Sequence, residues 1–165
     1  MFSIYEIKKV IPLSEEIYYP YLLGKCSVAK KNIWIGMFII SPMVSHDKER
    51  KILKLLRLLI ESSWNNIDVR VIIGTSISKD IQIANEVAMQ YIDKFNVPIR
   101  RYKGDRRGSF HSKYIIIDNE LVILGSHNWT PFAISNNIED SVAIYSSEIN
   151  QIMKTEFISL WERGE

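Results

Sequence analysis

The chain has 165 residues, 47% apolar and 24% charged, the size and balance of one globular domain spanning 1–165 with enough apolar surface for a core. A single cysteine, Cys26, excludes an internal disulfide and fits a reducing compartment. The N-terminus lacks the basic head and apolar core of an export signal, and no apolar run reaches membrane-spanning length, so a soluble, cytoplasmic protein without a membrane span is expected. The net charge of +2 and pI near 8.6 permit an anionic partner without requiring one, because dedicated nucleic-acid modules are usually more basic.

In chain order, "IYEIKKVIPL" suits a strand, and Ser14 begins a helix through "EEIYYPYLLGKCSVAKKN" despite Pro20 and Gly24. "IWIGMFIIS" (33–41) is short, apolar and rich in β-branched and aromatic residues, as a strand buried on both faces would be. From Lys48 to about Trp64, Ile52, Leu55, Leu56, Leu59 and Ile60 recur at the spacing of an amphipathic helix. "DVRVIIGTS" predicts a second central strand, 79–95 a helix, and "VPIRRY" a short strand. Two strand-helix-strand units imply parallel pairing with right-handed crossovers. A hairpin follows, then a strand at "EDSVAIYS" and a closing helix in "SEINQIMKTEFISLWERG". The fold class is α/β, a central mixed β-sheet flanked by α-helices.

The hairpin "FHSKYIIIDNELVILGSHN" (110–128) carries polar groups that a packed core would exclude. Strand alternation sends His111 and Lys113 to one side and Ser112 and Tyr114 to the other. With "DNE" as the turn and Ile117 facing Leu121, Lys113 lies opposite Gly125 and His111 opposite His127, with Ser126 and Asn128 close by. Gly125 would leave room for a group to approach the backbone beside the Lys113 ammonium. An imidazole, an ammonium, a hydroxyl and an amide around a gap suit a tetrahedral anion, and a phosphate ester is the natural guest. Asp118, an odd number of residues from His111 and in the turn, faces away from the imidazole, which argues for a structural duty.

"HSKYIIID" with "GSHN" following Asp118 after six intervening residues resembles the H-x-K-x4-D-x6-G-S-x-N signature of the phospholipase D superfamily, and "NNIED" resembles its downstream Asn-x-Glu element. One motif copy in a short chain looks most like the single-motif Nuc-type endonucleases and related phosphodiesterases. The resemblance implies the phospholipase D/nuclease-like fold and metal-independent phosphodiester cleavage with no cofactor. In that chemistry one histidine forms a covalent phosphohistidine while a second protonates the leaving oxygen and then activates water. By position, the resemblance makes His111 nucleophile in one subunit and acid/base in its mate. Lys113 and Asn128 would hold nonbridging oxygens with help from Ser126, Glu139 would orient His111, and Asp118 joins the catalytic set as a motif member of unspecified duty. Because the chain has one motif, a two-fold homodimer is the simplest completion. The signature prescribes nothing at His127, which is expected to be a variable, partly exposed residue.

"RRYKGDRRG" (100–108) offers a basic stripe for phosphate contacts, with Arg106 and Arg107 as substrate-binding candidates and Tyr102 as a stacking platform. His46 is expected at the surface. A metal centre lacks H-x3-H or C-x2-C spacing, and its one candidate trio is His111, His127 and Glu139. The expected substrate is DNA, with RNA a further candidate. The rival readings are a lipid phosphodiesterase acting on cardiolipin or phosphatidyl lipids, and a catalytically idle nucleic-acid-binding module.

Overall fold

A computed structural model describes residues 4–42, 48–104 and 108–165. Seven strands form one mixed sheet in the order β1-β7-β6-β5-β2-β3-β4. Its parallel half comprises β2 (Asn32–Met37), β3 (Asp68–Ile73) and β4 (Ile99–Arg101). β5 (Lys113–Ile117) runs antiparallel to β2, and β6 (Leu121–Gly125), β7 (Ser141–Tyr145) and β1 (Lys9–Leu13) continue the antiparallel half.

Period-two alternation makes two cores. Ile33, Ile35 and Met37 of β2 enter the larger core with Val69, Val71 and Ile73 of β3, beneath helices α1 (Glu15–Ser27), α2 (Lys51–Trp64) and α3 (Lys79–Asp93). The face of α2 buried there is the predicted set Ile52, Leu55, Leu56, Leu59 and Ile60. On the other face Trp34, Ile72, Tyr114 and Ile116 pack with Phe157 and Trp161 of α5 (Ser147–Trp161), which is capped by the Ser146 hydroxyl accepting from the Ile149 amide. A one-turn helix, α4 (Pro131–Ser135), is capped by Thr130 and has no counterpart in the sequence reading. It is too short for periodicity to reveal.

The strand expected over 33–41 ends at Met37 because α3 interrupts it. The buried Asn85 side chain accepts from the Ile40 amide (2.9 Å) and donates to the carbonyls of Phe38 (3.0 Å) and Gly74 (2.9 Å), removing these groups from the ladder. The chain leaves the sheet there, placing Phe38 beside the end of β5. Gly125 has a different role from the one expected. A Cβ there would lie 2.1 Å from the Ser141 hydroxyl and 2.4 Å from the Asp140 carbonyl, so its bareness admits the neighbouring strand rather than a substrate.

Candidate active site

The hairpin forms in the expected register, with Ile117 opposite Leu121 and Tyr114 opposite Leu124. His111 and Lys113 emerge on one side, with Lys113 Nζ 2.9 Å from His111 Nδ1, and the ammonium also donates to the His111 carbonyl. Both lie against Phe38: the imidazole centroid is 4.4 Å from its ring and the ammonium 5.2 Å from its centroid. Phe38 was missed in the sequence because nothing local indicates that the end of β2 lies beside Lys113, its neighbour Met37 being the register partner.

Burial against this wall, helped by the Lys113 charge, lowers the pKa of His111 and so favours the neutral ring. Burial also lowers the pKa of Lys113, opposed by the Glu139 carboxylate. An ammonium donating to Nδ1 puts the imidazole proton on Nε2.

The facing wall follows from alternation beyond β6. Ser126 is exposed and Asn128 half-buried, whereas His127 and Trp129 are 1% and 0% exposed. Ser126 Oγ donates to the Glu139 carboxylate and accepts from the Asp140 amide at 3.0 Å. Glu139 also accepts from Asn137 Nδ2 at 3.1 Å, so its carboxylate is engaged by Ser126 and Asn137 rather than by His111. Asn128 Oδ1 accepts from the Ile39 amide at 3.2 Å, and its Nδ2 makes no hydrogen bond among the described residues. Asn128 is tied to Ile39, next to Phe38, and the Glu139 charge acts on Lys113, which links this wall to the imidazole and ammonium.

Two expectations, those for Tyr102 and His127, are corrected, whereas Asp118, a motif member of unspecified duty, takes the structural place its turn position predicted: it sits in the hairpin turn at φ 53°, and its carboxylate accepts from the amides of Lys30, Lys31 and Asn32. It clamps the α1–β2 loop, roughly 20 Å from His111 along β5 at ~3.3 Å per residue. Tyr102 is 6% exposed, packed near Phe110 with the Arg163 guanidinium 5.5 Å from its ring centroid, so it offers no free face to a base. His127 is buried rather than partly exposed, stacked on Tyr18 at 3.9 Å with 2° between the ring planes. Its Nδ1 lies 2.8 Å from Ser141 Oγ and its Nε2 has no hydrogen-bond partner among the described residues. The trio of His111, His127 and Glu139 does not assemble, and no group of three potential metal ligands occurs among the described residues. Arg106, Arg107 and His46 lie outside the described residues.

Burial lowers the His127 pKa, with Glu139 and Asp140 opposing. The unfolded chain binds this proton near the ordinary value of 6.5, so the contribution to stability is full above that pH and is lost as pH falls toward the lowered folded value. His111 acts in the same direction. A melting-temperature profile should therefore fall on its acid side below about pH 6.5, and His127→Phe should flatten part of that decline.

The sequence matches the family model "Cardiolipin synthase, PLD-like domain" over residues 22–161. Cardiolipin synthase 1 of Bacillus anthracis is 31% identical over 140 residues, 82% of this chain and 25% of that protein. Mouse mitochondrial cardiolipin hydrolase is 38% identical over 55 residues, 33% of this chain and 25% of that protein. The chain therefore spans about a quarter of the length of these curated relatives. Among solved structures, Nuc from Salmonella typhimurium, a phospholipase D family member, superposes with a TM-score of 0.78 at 22% identity, covering 95% of this chain and 96% of that one. NucT from Helicobacter pylori gives 0.72 at 21% identity, covering 94% and 97%. At these identities the structural likeness establishes the fold. The family match carries the assignment further: the chain belongs to the phospholipase D superfamily, whose members act on phosphodiester bonds.

Proposed function

We propose that this chain is a metal-independent endonuclease that cleaves DNA phosphodiesters through a phosphohistidine, at a site completed by a second copy of itself. The observation that carries the reading is the His111–Lys113 contact against Phe38, with Asn128 anchored on the adjacent Ile39 and the Ser126–Glu139 pair whose charge reaches Lys113. A phosphodiester entering this gap draws the Lys113 ammonium onto a nonbridging oxygen, with Asn128 Nδ2 on another and Ser126 assisting. His111 Nε2 then attacks phosphorus: an N–P bond forms, the P–O bond to the leaving group breaks, and His111 of the second copy, which must enter this step as the imidazolium, gives that oxygen its proton. The second histidine next takes a proton from water as its oxygen attacks phosphorus and the N–P bond breaks, restoring both rings. Glu139 holds Ser126 in the resting site and supplies a negative charge that acts on Lys113.

Two features support the partner and the substrate. Ile77 and Ile138 are 101% and 91% exposed; Ile77 shares a depression with Phe38, and Ile138 adjoins Glu139. An apolar rim at a half-complete site suits burial against a second copy. The same depression is lined by Thr75, Ser76, Lys103 and Ser109, donors suited to successive phosphates of a strand. A lipid phosphodiester is the second reading, favoured by the names of the cardiolipin-processing relatives.

Plasmid cleavage in excess EDTA, with light scattering on the same sample, tests this reading. Chelator-resistant cleavage by a two-chain species, with binding that weakens steeply as salt rises, is expected. Chelator-sensitive cleavage restored by a divalent ion overturns it, as does turnover by a monomer. Hydrolysis of cardiolipin vesicles with DNA left intact transfers the site to lipid.

A further inference from the structure

We propose that His127 is a positioning residue, a buried pin between α1 and β7 that sets the angle at which Ser126 and Asn128 face the substrate; in its catalytic consequence this rests on the function proposed above. The superfamily signature leaves this position open, so the inference comes from this chain's own packing. From Gly125 to Trp129 the side chains alternate. His127 and Trp129 turn inward, and both meet Tyr18: the imidazole stacks on its ring at 3.9 Å, and Trp129 Nε1 donates to its hydroxyl at 3.3 Å. Ser126 and Asn128, between and before them, turn to the site.

The imidazole grips the other wall as well. Its Nδ1 is 2.8 Å from Ser141 Oγ, the hydroxyl that occupies the space left by Gly125, its register partner. One residue earlier, Ser126 and Asp140 clasp each other, with the Ser126 amide donating to the Asp140 carbonyl (2.9 Å) and the Asp140 amide to Ser126 Oγ (3.0 Å). The His127–Ser141 bond thus closes a second link between the segments bearing Ser126 and Glu139, next to Asn128. An apolar residue would fill the same space without this link. The orphaned Nε2 argues that shape alone does not account for the ring, since a buried polar atom without a partner costs free energy that a phenyl would avoid.

The test compares wild type, His127→Phe, which keeps the stack, His127→Asn, whose amide reaches Ser141 from the Nδ1 position, and Ser141→Ala, which removes the link from its other end. Turnover is followed with bis(4-nitrophenyl) phosphate, and inorganic phosphate binding by shifts of the Asn128 side-chain amide in ¹H–¹⁵N spectra. His127→Phe and Ser141→Ala are expected to lower kcat by about 10- to 100-fold with KM raised by the smaller factor of about fivefold, the signature of misplaced groups in a site that still binds. Phosphate binding at Asn128 should weaken by about fivefold or more. His127→Asn should recover a substantial part of both. Wild-type kcat and phosphate affinity in His127→Phe and Ser141→Ala overturn the proposal, as does His127→Asn impaired as deeply as His127→Phe. If His127→Phe fails to fold, Ser141→Ala decides by the same readouts. If wild type turns over no phosphodiester, the proposed function fails, and the phosphate titration still decides whether His127 sets the Asn128 amide.

Discussion

Replacing His111 by Asn is expected to lower kcat by at least about 10⁴-fold while DNA affinity stays within a few-fold. The asparagine amide keeps a polar group near the Nδ1 position, so Lys113 retains a partner and the phosphate-binding groups stay in place. On the proposed mechanism, what disappears is the nitrogen that bonds phosphorus in one subunit and, in its mate, the group that protonates the leaving oxygen. Single-turnover cleavage and fluorescence anisotropy on the same preparation separate these effects. A mixing experiment sharpens the result. If one shared site needs both copies of His111, heterodimers of wild type and variant are inactive, and activity follows the square of the wild-type fraction, about one quarter in an equal mixture of exchanging subunits. A linear dependence would mean that each chain acts alone, and variant cleavage within tenfold of wild type would mean that the nucleophile is another residue.

The sequence revealed most where a short-range period decides the structure. Alternation brought His111 and Lys113 to one side, the turn at Asp118 fixed the hairpin register, and the three-four spacing of α2 identified its buried face. What it could not reveal depends on contacts between distant segments. Phe38 enters the site because Asn85, on a helix some forty-five positions away, ends β2 early. Gly125 reads locally as an opening, yet the space belongs to Ser141 of the adjacent strand. His127 looked variable because only the position of α1 reveals that Tyr18 covers it. Tyr102 resembled a stacking platform in a basic run, and its burial depends on Phe110 and α5 arriving from elsewhere. Strand order and the layer above each strand are long-range facts, while the signature residues are short-range, so those residues were more legible than the surroundings that pack against them.

Asp118 gives the largest expected effect on stability with no direct effect on the chemistry. Asp118→Ala should destabilise the fold by about 3 kcal/mol and lower the melting temperature by roughly 6–12 °C. Two causes act together. The residue sits at φ 53°, where alanine pays about 1 kcal/mol or more that aspartate partly recovers through local hydrogen bonding. The carboxylate also serves the amides of Lys30, Lys31 and Asn32 as β2 begins, and alanine leaves these donors without their acceptor. Asp118→Asn retains one oxygen acceptor and tolerates the left-handed backbone, so its loss should be less than half as large. Because the turn is at the far end of β5 from His111, the kcat of each folded molecule should remain within about twofold of wild type in both variants, measured well below the lowered melting point. An Asp118→Ala protein that melts like wild type yet has lost its turnover would return this carboxylate to the reaction, since a clamp cannot be removed without loosening what it holds.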